Sequence, residues 1–103
     1  MEFTIKERLI MLFTLPDEGD ITSLRILRKL REDFSFSEEE HKEFNLKMVA
    51  GESPTWDYDN FTKKEITVGE KATDIIVDTL KKLDREKKLK SDHISIWEMF
   101  IKD

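Results

Sequence analysis

The amino-acid sequence predicts an α+β fold that is mainly helical, with about five helices and a small central antiparallel β-hairpin or three-stranded sheet. Three observations carry this expectation. Thr4-x-x-Glu7, Ser37-x-x-Glu40 and Thr67-x-x-Glu70 each place a hydroxyl that can accept from the third amide of a new helix, and a carboxylate that can reach back to the capping residue. Apolar residues then recur at spacings of three and four, the period of a helix face. Between Leu46 and Val68 the period shortens to two, the alternation of a strand.

The first helix is expected from Ile5 to Thr14, capped by Thr4, with Ile5, Leu9, Leu12 and Phe13 on one face. Leu15-Pro16-Asp17-Glu18-Gly19 ends it, because proline disfavours helix at the residue before it and glycine permits a turn. Asp20 is the N-cap of a second helix through Phe34, with Ile21, Leu24, Leu27, Leu30 and Phe34 on the stripe and Ile26 off it. A short third helix follows Ser37, from Glu38 to Glu43, flanked by Phe36 and Phe44 as core anchors. Leu46 and Met48, then Trp56 and Tyr58, alternate with polar residues about the turn cluster Ala50–Pro54, and Ile66 and Val68 offer a third strand. The fourth helix is expected from Gly69 to Leu89, with Ala72, Ile75, Ile76, Leu80 and Leu83 on its stripe. Ser91 is read as the cap of a last helix from Asp92 to Lys102.

A chain of 103 residues has the size of one domain, here residues 1–103. Charged residues make up 40%, far above the usual level of about 25%. The apolar residues are nevertheless clustered and periodic, and seven Phe and two Trp argue against disorder. The net charge of −5 is uneven: residues 32–59 carry nine acids against two bases, while the flanking thirds each carry one base in excess. Cysteine is absent, which removes disulfides, thiolate zinc sites and thiol catalysis together. No secretory leader and no long apolar run is visible, so the expected setting is cytoplasmic and no membrane contact is expected.

The sequence bears on four kinds of site. Three helices followed by a hairpin is the order of a winged-helix domain, and Arg25, Arg28, Lys29 and Arg31 would then contact phosphates. Against this, the helix that should enter the groove begins Glu38-Glu39-Glu40, and the arginines can equally form a solvated face paired with Glu32 and Asp33. Asp57-Tyr58-Asp59-Asn60 opens like a calcium loop, but Thr62 stands where glycine is required and Val68 where a bidentate glutamate is required. His41 and His93 lack partners at metal-ligand spacing and read as a helix-surface and a first-turn residue. Catalysis has no visible machinery: no phosphate-cradling glycine pattern, no nucleophile elbow, and hydroxyls mostly at caps. No enzyme activity, cofactor, metal or small-molecule substrate is therefore expected.

The fourth kind is a protein-binding surface. Trp56, Tyr58 and Phe61 crowd the least regular segment, and the last helix carries more apolar residues than one stripe can bury, among them Trp97 and Phe100. So small a domain also needs aromatics for its own core, which competes for the same residues. The expected function is non-catalytic binding to a protein partner, or self-association, through Trp56, Tyr58, Trp97 and Phe100, with Glu38, Glu39 and Glu40 supplying charge. The rival is a nucleic-acid-binding regulator using the basic second helix.

Glu7-Arg8-Leu9-Ile10-Met11-Leu12, Leu15-Pro16-x-Glu18-Gly19, Leu24-Arg25-Ile26-Leu27-Arg28-Lys29-Leu30, Phe36-Ser37-Glu38-Glu39-Glu40 and Gly69-Glu70-Lys71-Ala72-Thr73-Asp74-Ile75-Ile76 together resemble small uncharacterised proteins of bacteriophages and prophages. The resemblance spans most of the chain through helix-forming motifs. It implies a bacterial cytoplasmic setting and no particular chemistry.

Overall fold

The computed structural model describes residues 1–101. In chain order these form β1 (Glu2–Thr4), α1 (Ile5–Thr14), α2 (Ile21–Phe34), α3 (Glu38–Glu43), β2 (Lys63–Glu65), α4 (Glu70–Arg85) and α5 (His93–Phe100). The fold is mostly helical α+β, with five helices and one two-stranded sheet among the described residues.

Two of the three capping boxes form. The Thr4 hydroxyl accepts from the Glu7 amide at 3.1 Å, and the Glu7 carboxylate accepts from the Thr4 amide at 2.9 Å. Ser37 and Glu40 reciprocate in the same way. Asp20 caps α2 by accepting from the Ser23 amide at 2.7 Å, and this bond holds its carboxyl below the ordinary range. The third box does not form. Ile66 and Val68 keep the chain extended to reach the core, so α4 starts only after Gly69, with no side-chain cap.

The sheet differs from the expected one. β1 pairs antiparallel with β2, with Phe3 opposite Lys64. The expected hairpin reduces to a single bridge, Lys47 with Thr55, whose two amide bonds measure 2.8 and 3.0 Å. Pro54 has no amide to extend the ladder, and the Asp57 amide turns away to donate to the Phe44 carbonyl. The third expected strand lies a few residues earlier than Ile66–Val68. A three-residue strand leaves no readable period, so nothing in Glu2–Thr4 announced β1.

The apolar residues form two clusters. The larger contains Phe3, Met11, Leu15, Leu27, Leu30, Phe34, Ile66, Ala72, Ile76, Leu80 and Ile96. The smaller contains Ile5, Leu9, Phe44 and Leu46, with Phe36 and Trp56 packed against it. Helix α1 lies between them, which corrects the single face expected for it: Ile5 and Leu9 bury on one side, Met11 on the other, Leu12 is half-buried and Phe13 is exposed. On α2, Ile21 is exposed at the first turn, and Ile26 is half-buried against the larger cluster. Helix α5 starts later than expected. Asp92 takes the N-cap position without a side-chain capping bond, and Ser91 makes no cap. The helix also ends before the expected Lys102: Ile101 is extended (φ −119°, ψ 117°), and Lys102 itself lies outside the described residues.

Arg8 is the one buried charged residue among those described, 1% exposed. Its guanidinium donates to both carboxylate oxygens of Glu40, at 2.6 and 3.2 Å, and to the Ser35 carbonyl at 2.5 Å. It also lies 3.9 Å over the Phe36 ring, a favourable position for a desolvated cation. Hydrogen bonds from Arg8 hold the Glu40 carboxyl down at about 2, helped by the Ser37 amide.

Helices α3 and α4 end alike. Asn45 (φ 51°) and Lys87 (φ 57°) adopt the left-handed conformation. Around them Leu46 donates back to His41, Asn45 to Lys42, Lys88 to Leu83 and Lys87 to Asp84, the bond pattern of a Schellman turn. Asparagine tolerates this conformation, whereas lysine is strained in it.

Glu40→Ala leaves Arg8 charged and buried without its counter-ion and should cost about 3–5 kcal/mol, against less than about 0.5 kcal/mol for exposed Glu39→Ala, read from urea unfolding. Because the folded-state carboxyl is depressed to about 2 from 4.5, this stabilisation is complete above the ordinary glutamate range and is lost as pH falls towards 2. Glu40→Gln should show a flatter acid limb. Separately, Lys87→Gly should stabilise by roughly 0.5 kcal/mol, raising Tm by about 2–4 °C, while Lys87→Ala keeps the Cβ and should give no such gain.

Candidate functional site

The overpacked helix α1 turns a third side towards solvent, and there a groove of about 630 Å³ opens. Leu9 and Ile10 form its floor, with Phe13 at one end. One wall is the turn Gly51–Pro54 followed by Trp56 and Tyr58; the other is Leu83 at the end of α4, then Lys88, Lys90 and His93.

Local structure explains both walls. Gly51 has φ 80°, a conformation that favours glycine, and it reverses the chain so that Lys47 meets Thr55. Trp56 then packs on the smaller cluster and Tyr58 follows it on the alternate position, their ring centroids 4.8 Å apart and edge to face. Trp56 is half-buried, whereas Tyr58 is 66% exposed. On the opposite wall, the left-handed Lys87 redirects the chain after α4 and brings Lys88 and Lys90 to the groove.

That wall is clipped to α1 at three points. Lys6 pairs with Asp92 at 3.0 Å. Ser95 donates to Glu7. His93 Nδ1 accepts from the Lys90 amide at 2.9 Å, so its Nε2 carries the proton and faces Thr14 Oγ1 at 3.0 Å. The Thr14 hydroxyl itself donates to the Ile10 carbonyl at 2.6 Å. A histidine acting as base on a hydroxyl must present a free lone pair to it. Here the ring nitrogen is a donor, so this hydroxyl–imidazole contact is a structural tie.

The residues singled out in the sequence are distributed as follows. Trp56 and Tyr58 line the groove together. Trp97 and Phe100 belong to the larger cluster, both half-buried, with Phe100 stacked on Phe3 at 6.2 Å. On α5 it is Ile94 that is exposed. Glu38 and Glu39 are exposed on α3, but Glu40 is committed to Arg8 and to its own capping box. Of the basic set, Arg25 and Arg28 are exposed and make no ion pair among the described residues. Lys29 pairs with Asp33 at 2.8 Å. Arg31 donates to the Pro16 carbonyl at 2.6 Å and to Asp17 at 2.8 Å, fastening the α1–α2 turn. Phe13, Lys88, Lys90 and His93 were not singled out as binding residues. Phe13 had a signal: α1 carries apolar residues at six of its ten positions, more than one face can hold.

His41 is half-buried against the edge of Phe36, 6.3 Å between ring centroids. Among the described residues no group of three or more His, Asp or Glu is placed to hold a metal ion, and no helix is long and apolar enough to cross a membrane. Comparison with protein-family models, with curated proteins and with solved structures finds no match to this chain.

Proposed function

We propose that this is a small non-catalytic binding protein that docks another polypeptide in the groove along α1. The observation that carries the reading is the exposure of Phe13 (64%) and Tyr58 (66%) about an apolar floor. Large apolar side chains left in water on a concave surface are the usual mark of a contact site. The aromatic anchor expected from the sequence thereby moves away from the last helix, whose Trp97 and Phe100 serve the core, and onto Trp56 and Tyr58 with Phe13 added. We further propose, from the resemblance to phage and prophage proteins, that the protein acts in the bacterial cytoplasm.

A photo-crosslinking residue tests the docking site. Placed at position 13 or 58, it should yield covalent adducts with a polypeptide in cells, while the same residue at exposed Ile21 yields none. Absence of adducts at both groove positions removes the reading.

Nucleic-acid binding is the second reading, and the exposure of Arg25 and Arg28 on α2 is what favours it. It is the weaker one, because the other two bases are held within the molecule and the short helix α3 starts with three glutamates. If it holds, duplex DNA should shift in a gel at low salt, and Arg25→Ala with Arg28→Ala should abolish the shift and lower the salt slope by about two. No shift at micromolar protein excludes it.

A further inference from the structure

We propose that the occupant of the groove is a second copy of this chain, paired about a twofold axis; this rests on the docking reading above. The argument is one of charge. The two walls carry opposite sign. On the loop wall Glu52 lines the groove, exposed Asp57 and Asp59 flank the lining residues Trp56 and Tyr58, and residues 51–59 contain no base. The other wall carries Lys88 and Lys90, both exposed, and its one acid, Asp92, is already paired with Lys6 of α1. A foreign acidic segment would be attracted by one wall and repelled by the other, and a foreign basic segment likewise. A partner that is itself acidic on one side and basic on the other satisfies both walls.

The chain is such a partner. When the twofold axis runs along the groove, the same patch meets itself with its sides exchanged, and the acidic wall of each copy faces the basic wall of the other, twice over. Tyr58 stands on the rim as the side chain able to enter the other copy's groove and cover its Leu9–Ile10 floor. The surface needed is modest. A standard interface hides about 800 Å² per partner, about a tenth of the 7289 Å² this chain exposes. The overall charge of −5 on each copy opposes approach only at long range, and at roughly 150 mM salt the screening length is about 8 Å. Contacts between walls are shorter than that.

The test is sedimentation equilibrium of the whole chain from micromolar to submillimolar concentration at that salt. The wild type should move from 12.3 kDa towards twice that mass. Lys88→Glu with Lys90→Glu makes both walls acidic, and Glu52→Lys with Asp59→Lys makes both basic. Each variant alone should weaken pairing at least tenfold. An equal mixture of the two should pair again, since every wall then faces its opposite. Tyr58→Ser should weaken pairing without altering any charge. A wild type that stays monomeric throughout, or a dimer indifferent to both charge variants, overturns the proposal. The crosslinks separate the two readings: adducts at position 13 or 58 of a mass other than twice the chain keep the docking site and eliminate the second copy, and no adducts eliminate both.

Discussion

Arg8 is withdrawn almost wholly from water at the junction of α1, the end of α2 and the start of α3. Removing a guanidinium from solvent costs several kcal/mol unless every direction around it is answered. Here Glu40 answers with two oxygens, Ser35 with its carbonyl and Phe36 with its ring face. Nε has no hydrogen-bond partner, so the burial is not free of cost, and the remaining contacts have to be well made. Glu40 can make them only if α3 is in place, because the same carboxylate closes the box at Ser37. The position of α3 then sets Phe44 and Leu46, which complete the smaller cluster with Ile5 and Leu9. Trp56 packs on that cluster, and the loop wall of the groove is built from Trp56 outward. One ion pair therefore reaches from a helix cap to the surface where docking is proposed.

The groove itself reflects a shortage of covering material. Helix α1 has apolar residues around most of its circumference, and the chain supplies a cluster for only two of its sides. The third side receives a loop on one edge and the α4–α5 connection on the other, neither of which crosses over Ile10 and Phe13. Three separate ties hold the end of that connection and the first turn of α5 to α1, through Lys6, Glu7 and Thr14. They fix the wall at the groove's edge rather than over it.

What could be read from the sequence divides along physical lines. The bounds of α1, α2 and α3 were legible because each begins with a short-range signal that acts within four residues, and the Ser37–Glu40 and Thr4–Glu7 pairs form as their spacing implies. Thr67–Glu70 has the same spacing and failed, because burial of Ile66 outweighed a bond worth about 1 kcal/mol. The mixed, mostly helical class was legible too. The partner of β1 was not, since Phe3 meets Lys64 across sixty residues and neither strand is long enough to show alternation. Trp56 and Tyr58 were recognisable from their crowding. Phe13 was assigned to the core because periodicity describes one helix at a time and cannot say how many neighbours come to cover it. Glu40 shows the same blindness: its charge was visible, and its distant claimant Arg8 was not.

The pairing of β1 with β2 bears on how much chain the fold must close. Phe3 is 0% exposed in the finished protein, held against Phe34 and Phe100 beside a strand that ends at Glu65. All of those partners lie later in the sequence than Phe3. Phe34 is within reach of a short segment, but the pairing with Lys64 and the stacking on Phe100 close long ones, at an entropic cost that the completed core offsets. The pair that seats β1 closes about twice the length of chain that the Arg8–Glu40 pair closes.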